Sequence, residues 1–385
     1  MRFEFATANR ILFGPGVSAE VPALAARLGK RVFIVTDSVE RCAILREGML
    51  ALGLSVEYFL VRKEPDLDFI LLATRNIQES DCQLVIGFGG GSALDTGKAA
   101  AALMNNPGDP LDYLEVIGSG YPLQNPSAAY IAIPTTAGTG SEVTRNAVIT
   151  IPKKHIKVSL RSPLMLPRFA VVDPVLTYSL RPFATAATGL DALTQLIEPF
   201  VCNSPTPLTD AICRDGIARA ARSLRKAYEN GQDVQAREDM SLASLFGGLA
   251  LANARLGAVH GMANPIGGFS HAPHGAVCAR LLPLVMETNL SALRSRQPGS
   301  PAIARYAEVA RLLTGDESAS AEAGADWVRQ LCVSLNIRPL KEYGLDATDF
   351  PAVIEQSQKA NSMKGNPVNL TDAELLLILA TAQAA

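Results

Sequence analysis

Up to about residue 180 the chain alternates short, β-branched apolar runs with helical patterns. The runs are RVFIVTD (31–37), SVEYFLV (55–61), CQLVIGF (82–88) and AAYIAIP (128–134). Continuous apolar strands separated by amphipathic segments predict a parallel sheet with crossover helices. After Pro182 the short runs give way to amphipathic stretches, among them PLTDAICRDGIARAARSLRKAYEN, REDMSLASLFGGLALANARL, PAIARYAEVARLLT and TDAELLLILATAQ. Their spacing predicts an all-helical second half. The segment FAVVDPVLTYSLRP (169–182) is a strand followed by a proline-bounded turn, so the chain divides into an α/β domain, 1–181, and a helical domain, 182–385. Residues 104–128 and 360–371, rich in Asn, Pro and Gly, read as loops.

Composition agrees with that division. At 385 residues the chain exceeds what one core serves, and two domains are expected. Hydrophobic residues make up 48% and charged residues 19%, with a net charge of -2, so neither nucleic acid nor an anionic membrane is an expected partner. The N-terminus MRFEFATANRILFGPG lacks a signal-peptide apolar core, and no uninterrupted apolar run reaches membrane-spanning length. A cytoplasmic protein is expected. The six cysteines (42, 82, 202, 213, 278 and 332) form no CxxC pair and are expected as free core thiols.

Two loops have the chemistry of a phosphate cradle. In VIGFGGGSALDTGK a strand runs into Gly89, Gly90 and Gly91 and then into an alanine-rich helix, with Ser92 and Asp95 spaced as a capping box. Bare N–H groups at a helix start suit a pyrophosphate, although a glycine triplet is as often only a turn. The spacing is neither GxGxxG nor that of a P-loop. The second loop, IPTTAGTGSEVT (133–144), offers Thr135, Thr136, Gly138, Thr139, Gly140 and Ser141, with Thr139 and Glu142 spaced as another capping box. Both follow presumed parallel strands, where open α/β sheets bind ligands. Asp37, after the first run, is either a helix N-cap or an acceptor for an adenosine ribose that favours NAD over NADP.

Chemistry in the second half centres on histidine. The chain has four, and His260 and His274 share one glycine- and proline-broken stretch, HGMANPIGGFSHAPH. Upstream, Asp191 and Gln195 lie one helical turn apart in GLDALTQLIE. The four can enclose a divalent cation. Equally, Asp191 with Gln195 can be a hydrogen-bonded pair, and the histidines can be satisfied by backbone carbonyls.

Taken in order, GGGSALDTGK, PTTAGTGSEVT, VVDPVLT, ATGLDALTQLIE and HGMANPIGGFSHAPHG resemble the group III, iron-dependent alcohol dehydrogenase family over nearly the whole chain. The resemblance implies the dehydroquinate synthase-like fold, a Rossmann-like dinucleotide-binding domain followed by a helical one, with the site in the cleft between them. It implies that Gly89, Gly90, Gly91 and Ser92 cradle the pyrophosphate, that Asp95, Thr135, Thr136, Thr139, Lys157, Leu176 and Thr177 surround the nicotinamide half, and that Asp37 lies near the adenosine ribose. The family's metal ligands fall on Asp191, Gln195, His260 and His274, for Fe2+ or Zn2+. The implied activity is NAD-linked oxidation of a small alcohol or reduction of an aldehyde, in a homodimer paired through the first domain, where the N-terminal strand adds to a partner's sheet edge.

This sequence departs from the family at two positions. Gln195 stands where most members have histidine, and its amide is a weaker donor that suits harder cations. Asn264 stands where many have the histidine that relays the alcohol proton, leaving that step to water, a ribose hydroxyl or His271. Arg145 and Arg280 hint at an anionic substrate, such as an oxo acid of the maleylacetate type. His155, among Lys153, Lys154 and Lys157, is expected at the surface. A lyase of the dehydroquinate synthase type would need a cationic cluster for a phosphorylated substrate, which the helices around the predicted ligands lack. A metal-depleted NAD-binding homologue, or a reductase that needs no metal, is the other alternative.

Overall fold

β-Branched and aromatic residues form the first unit's strands. A computed structural model of the chain describes residues 2–115, 117–154 and 156–384; His155 lies outside them. The strands are β1 (Arg10–Phe13), β2 (Arg31–Thr36), β3 (Ser55–Leu60), β4 (Leu84–Gly89), β5 (Ala129–Pro134), β6 (Asn146–Ile151), β7 (Ile156–Arg161) and β8 (Phe169–Val172). Six of them make an all-parallel sheet in the order β1-β8-β5-β4-β2-β3. The four apolar runs fall on β2 to β5. Along β2, Val32 and Ile34 join one core with Leu84, Ile86 and Ile131, while Phe33 and Val35 join another with Val85 and Tyr130. Both faces of the sheet are therefore buried, which explains why its strands read as continuous rather than alternating.

The strand order sets where a ligand binds. From β2 the chain moves outward to β3, returns to the other side of β2 as β4, and continues away through β5 and β8. The direction reverses between β2 and β4. Open α/β sheets bind ligands beyond the strand ends at such a reversal. Asp37 follows β2 and the glycine triplet closes β4, so both stand at this point.

Arg10–Phe13 of the N-terminal segment pairs in parallel with β8 within its own chain, and as the first strand in the sheet order β1 has its other edge unpaired among the described residues. One feature of this unit goes beyond expectation. The antiparallel hairpin β6–β7 was not anticipated: its connection, Pro152–Lys154, is a 3-10 turn without the Asn-Gly type of hairpin signal. The hairpin packs Ala147, Ile149, Val158 and Leu160 against Ala99, Ala102 and Leu103.

The second unit is helical, running through Pro182–Val201, Pro207–Glu229, Val234–Asn253, Ala258–Phe269, His274–Arg296, Pro301–Thr314, Ala321–Ser334, Phe350–Lys359 and Asp372–Ala384. Proline opens several of these helices, where its missing N–H costs nothing. Contacts group Phe5–Thr136 and Gly140–Tyr178 into the first unit. The second starts at Ser179 and also takes in residues 2–4 and Ala137–Thr139. Among the described residues one helix, His274–Arg296, is long and apolar enough to cross a membrane, but its apolar window is 72% buried inside the protein, as a core helix would be.

Candidate active site

The predicted metal residues gather inside the helical unit. Asp191 and Gln195 lie on Pro182–Val201, His260 on Ala258–Phe269, and His274 opens His274–Arg296. The stretch from 260 to 274, expected as broken backbone, is mostly helix: Pro265 is accommodated within Ala258–Phe269, and the break is confined to 270–273. Close approach is made possible by Gly275, where a β-carbon would stand 2.4 Å from the Ala187 carbonyl oxygen. Any larger residue would push His274 away from the Asp191 helix.

Lone pairs converge here. Asp191 is 2% exposed, and its Oδ1 has no hydrogen-bond partner although His260 Nε2 stands 3.3 Å and His274 Nε2 3.9 Å away. A buried acceptor left unpaired costs ~1–3 kcal/mol. The proton positions explain the arrangement. His260 Nδ1 meets Glu198 Oε2 at 2.6 Å, and the other carboxylate oxygen accepts from the Val259 N–H at 2.7 Å. A carboxylate only accepts, so Nδ1 carries a proton, and in the neutral ring the Nε2 lone pair faces Asp191. A carboxylate behind a histidine is the usual outer support of a metal ligand.

Glu198 was not among the expected site residues, although the spacing Asp191, Gln195, Glu198 (i, i+4, i+7) puts all three on one helix face. Cys278 was expected as an ordinary core thiol. All six cysteines are free and buried, but Cys278 Sγ lies 3.6 Å from His274 Nε2 and 3.9 Å from His260 Nε2. Ligand atoms of Asp191, His260, His274 and Cys278 all fall within 4.8 Å of one another.

Electrostatics describe a site that favours positive charge. Burial alone would lower the His260 pKa, but Cys278, Asp191 and Glu198 outweigh it and hold it well above the ordinary value. Burial would likewise raise the Asp191 carboxyl, yet the two imidazoles keep it low. The second proton that this favours on His260 would sit at Nε2, the position a cation would take. Acceptor atoms, charge and burial all fit a divalent cation.

Other expected residues are less central. The Gln195 amide oxygen is buried without a partner, beside Gly247, where a β-carbon would stand 3.2 Å from it. His271 is exposed in the break between helices, its main-chain N–H donating to the Tyr343 carbonyl at 2.9 Å. Asn264 is half-buried. Arg280 donates Nε to the Ala382 carbonyl and Nη2 to the Thr381 carbonyl, at the end of the last helix. Arg145 is half-buried just before β6.

In the first unit, Gly90 is the N-cap of helix Gly91–Leu103, and no side chain caps that start. The expected capping box does not form, because Ser92 is already inside the helix. Asp95 instead holds Ser141 Oγ at 2.5 Å and the Val148 N–H at 2.9 Å. Thr139 and Glu142 form no box either: the 3-10 turn that follows is entered through Gly140 with left-handed backbone. The first N–H groups of the helix thus remain available to an anion. Gly89 has φ of 152°, and a β-carbon there would stand 3.0 Å from Asp37 Oδ2, so only glycine fits. Asp37 is not a helix N-cap; its carboxylate accepts weakly from the Gly90 N–H at 3.4 Å.

Around this start, Thr135 donates its main-chain N–H to the Gly89 carbonyl, and a β-carbon on Gly90 would touch Thr136. Arg41, not singled out in the sequence, ties Thr135 Oγ1 to the Leu176 carbonyl. Leu176 and Thr177 lie in the turn Pro174–Thr177, capped by Asp173. Thr139 is half-buried in the segment that counts with the helical unit. Lys157 is not solvated: its side chain is 5% exposed and pairs with Glu64. The second loop is held by buried Lys98, which donates to Ser141 O, Ser141 Oγ, Thr144 Oγ1 and Asn146 O at 2.6–2.9 Å. Burial lowers Lys98 to about 8 and raises neighbouring Glu142 to about 7.

Residues 8–174 match the family model for iron-containing alcohol dehydrogenase, and residues 185–383 match the C-terminal model of the same family. The chain belongs to the iron-containing alcohol dehydrogenase family. It is an oxidoreductase of CH–OH groups, linked to a nicotinamide cofactor and a metal. Alcohol dehydrogenase 4 of Schizosaccharomyces pombe is 36% identical over 96% of this chain and 87% of its own length. A solved 1,3-propanediol oxidoreductase superposes with a TM-score of 0.91 at 32% identity, covering 99% of this chain and 100% of the other. Sulfoacetaldehyde reductase from Bifidobacterium kashiwanohense, solved in complex with NAD+, has a TM-score of 0.85 at 28% identity, covering 100% and 99%.

Proposed function

We propose that this member of the family reduces a small aldehyde with NADH, and oxidises the corresponding alcohol with NAD, at the Asp191–His260–His274 cluster. The observation that carries the reading is the buried Asp191 Oδ1, which faces the Nε2 atoms of His260 and His274 and forms no hydrogen bond. When bound there, a divalent cation supplies Lewis-acid stabilisation to the substrate oxygen. Glu198 holds a proton on His260 Nδ1, with both groups buried. The alcohol proton is assigned to exposed His271, since the half-buried residue at the family's relay position is Asn264.

Gly89, Gly90, Gly91 and Ser92 hold the pyrophosphate at the uncapped helix start. Thr135, Thr136, Thr139, Asp95, Lys157, Leu176 and Thr177 are assigned to the nicotinamide half. Asp37 accepts from the adenosine ribose and repels a 2′-phosphate, which favours NAD. The outer edge of β1 is the place for pairing in a homodimer.

The test is NADH oxidation with acetaldehyde, 3-hydroxypropanal and sulfoacetaldehyde, before and after chelation. Turnover that disappears on chelation and returns with Fe2+ supports the reading. Full turnover in metal-free protein refutes the role of the cluster, and cofactor binding without turnover on any carbonyl refutes the dehydrogenase.

A further inference from the structure

We propose that Cys278, as its thiolate, is the fourth protein ligand of the cation, in the place that the family pattern gives to Gln195. The inference rests on the metal-dependent reading above and names the site's donor set.

Geometry carries it. Four donors at ~2.0–2.3 Å around a tetrahedral cation are separated from one another by about 3.3–3.8 Å, because a tetrahedron's edge is about 1.63 times its centre-to-corner length. Four separations are at hand: Asp191 Oδ1 to His260 Nε2, 3.3 Å; Asp191 Oδ1 to His274 Nε2, 3.9 Å; Cys278 Sγ to His274 Nε2, 3.6 Å; and Cys278 Sγ to His260 Nε2, 3.9 Å. Two of these fall within the range of coordination-cage edges and the two at 3.9 Å lie just beyond it. The two sulfur contacts are within reach of a weak thiol hydrogen bond, but Asp191 Oδ1 to His274 Nε2 is too long for one, and the buried Asp191 oxygen remains unpartnered in their midst.

Chain position gives the reason. Cys278 is one helical turn beyond His274 on the same helix, so its sulfur and that imidazole share a face. Cys278 is 0% exposed. On Pro182–Val201 the Gln195 oxygen is also buried and unpartnered, but it lies against Gly247 of the helix Val234–Asn253 and is a neutral amide. Thiolate is the stronger and softer donor.

Coordination breaks the S–H bond and forms a sulfur–metal bond, the proton leaving to water. Asp191 and Cys278 together then balance a divalent charge. A donor set of one carboxylate, two imidazoles and one thiolate selects Fe2+, Co2+ or Zn2+ over Mg2+ and Ca2+.

The experiment is to strip the full-length protein with chelator and titrate it with Co2+, recording the visible and near-ultraviolet spectrum. The expected result is one cobalt per chain with a near-ultraviolet sulfur-to-cobalt charge-transfer band, absent in Cys278→Ser and retained in Gln195→Ala. Cys278→Ser should also weaken cobalt binding by more than the ~10–100-fold that loss of an outer partner costs. X-ray absorption on the unsubstituted protein loaded with Zn2+ gives a reading independent of any variant: a sulfur scatterer at about 2.3 Å supports the proposal. Cobalt bound with no sulfur band and no sulfur scatterer overturns Cys278 as ligand while leaving the metal site standing. Failure of the unsubstituted protein to bind cobalt overturns the metal reading, and this proposal with it.

Discussion

Replacing Glu198 by glutamine tests how the site is held together. Both Glu198 oxygens accept, one from the Val259 N–H at 2.7 Å and the other from His260 Nδ1 at 2.6 Å, and all three groups are buried. An amide has one oxygen, so whichever way it turns, its NH2 faces a donor. Either the main-chain N–H or the imidazole N–H is left unpaired, at ~1–3 kcal/mol. If the imidazole gives way, its proton moves to Nε2 and blocks the lone pair that faces Asp191. Loss of such an outer carboxylate costs about 10–100-fold in metal affinity, which is ~1.4–2.7 kcal/mol. The assay is competition for Co2+ against a chromophoric chelator, with circular dichroism to confirm that the variant is folded. A folded Glu198→Gln protein with unchanged cobalt affinity would refute the assignment of the proton to Nδ1.

Further outcomes follow from the same geometry. Because the metal-free site holds His260 well above its ordinary pKa, cation binding must expel that proton, so affinity should fall as pH is lowered through neutrality; a pH-independent affinity contradicts this. Asp37→Asn should raise NADPH use relative to NADH by roughly fivefold or more, since like charges 4 Å apart repel by ~1 kcal/mol even in bulk water; an unchanged ratio of kcat/KM values removes Asp37 from the ribose. Gly275→Ala drives a methyl into the Ala187 carbonyl and should cost ~1–3 kcal/mol, read as a lower thermal midpoint; a stability equal to the parent's shows that the helices can part. Glu142 has its folded-state pKa raised by burial from 4.5 to about 7, so the native protein holds a proton that the unfolded chain has released, and stability falls as pH rises across that window. Glu142→Gln should flatten that slope in thermal unfolding, and an unchanged slope assigns it elsewhere.

Elements built on long regular patterns were legible in the sequence. The runs at β2, β4 and β5 and the helices Pro207–Glu229 and Pro301–Thr314 were found because burial on both sheet faces, or on one helix stripe, writes itself into residue order. The β6–β7 hairpin was not, since no turn residue announces it and half its side chains face a neighbour visible only in three dimensions. Both capping boxes failed because spacing alone cannot tell whether a serine precedes the helix or lies within it, and a glycine took the cap each time. Of the site residues, Asp191, His260 and His274 are brought together, whereas Glu198 and Cys278 were passed over. Glu198 was readable from its i+7 spacing. Cys278 was not, because a cysteine in an apolar helix looks the same whether its sulfur meets leucine or imidazole.

The face shared by Asp191, Gln195 and Glu198 has a consequence for how this protein can change. A helix advances about 100° per residue, so inserting or deleting one residue between 191 and 198 would turn Asp191 away from His260 while Glu198 still faced it. The inner acid and the outer acid are thus locked in phase along one rod, and lineages can vary the residues of this helix but not its length between them.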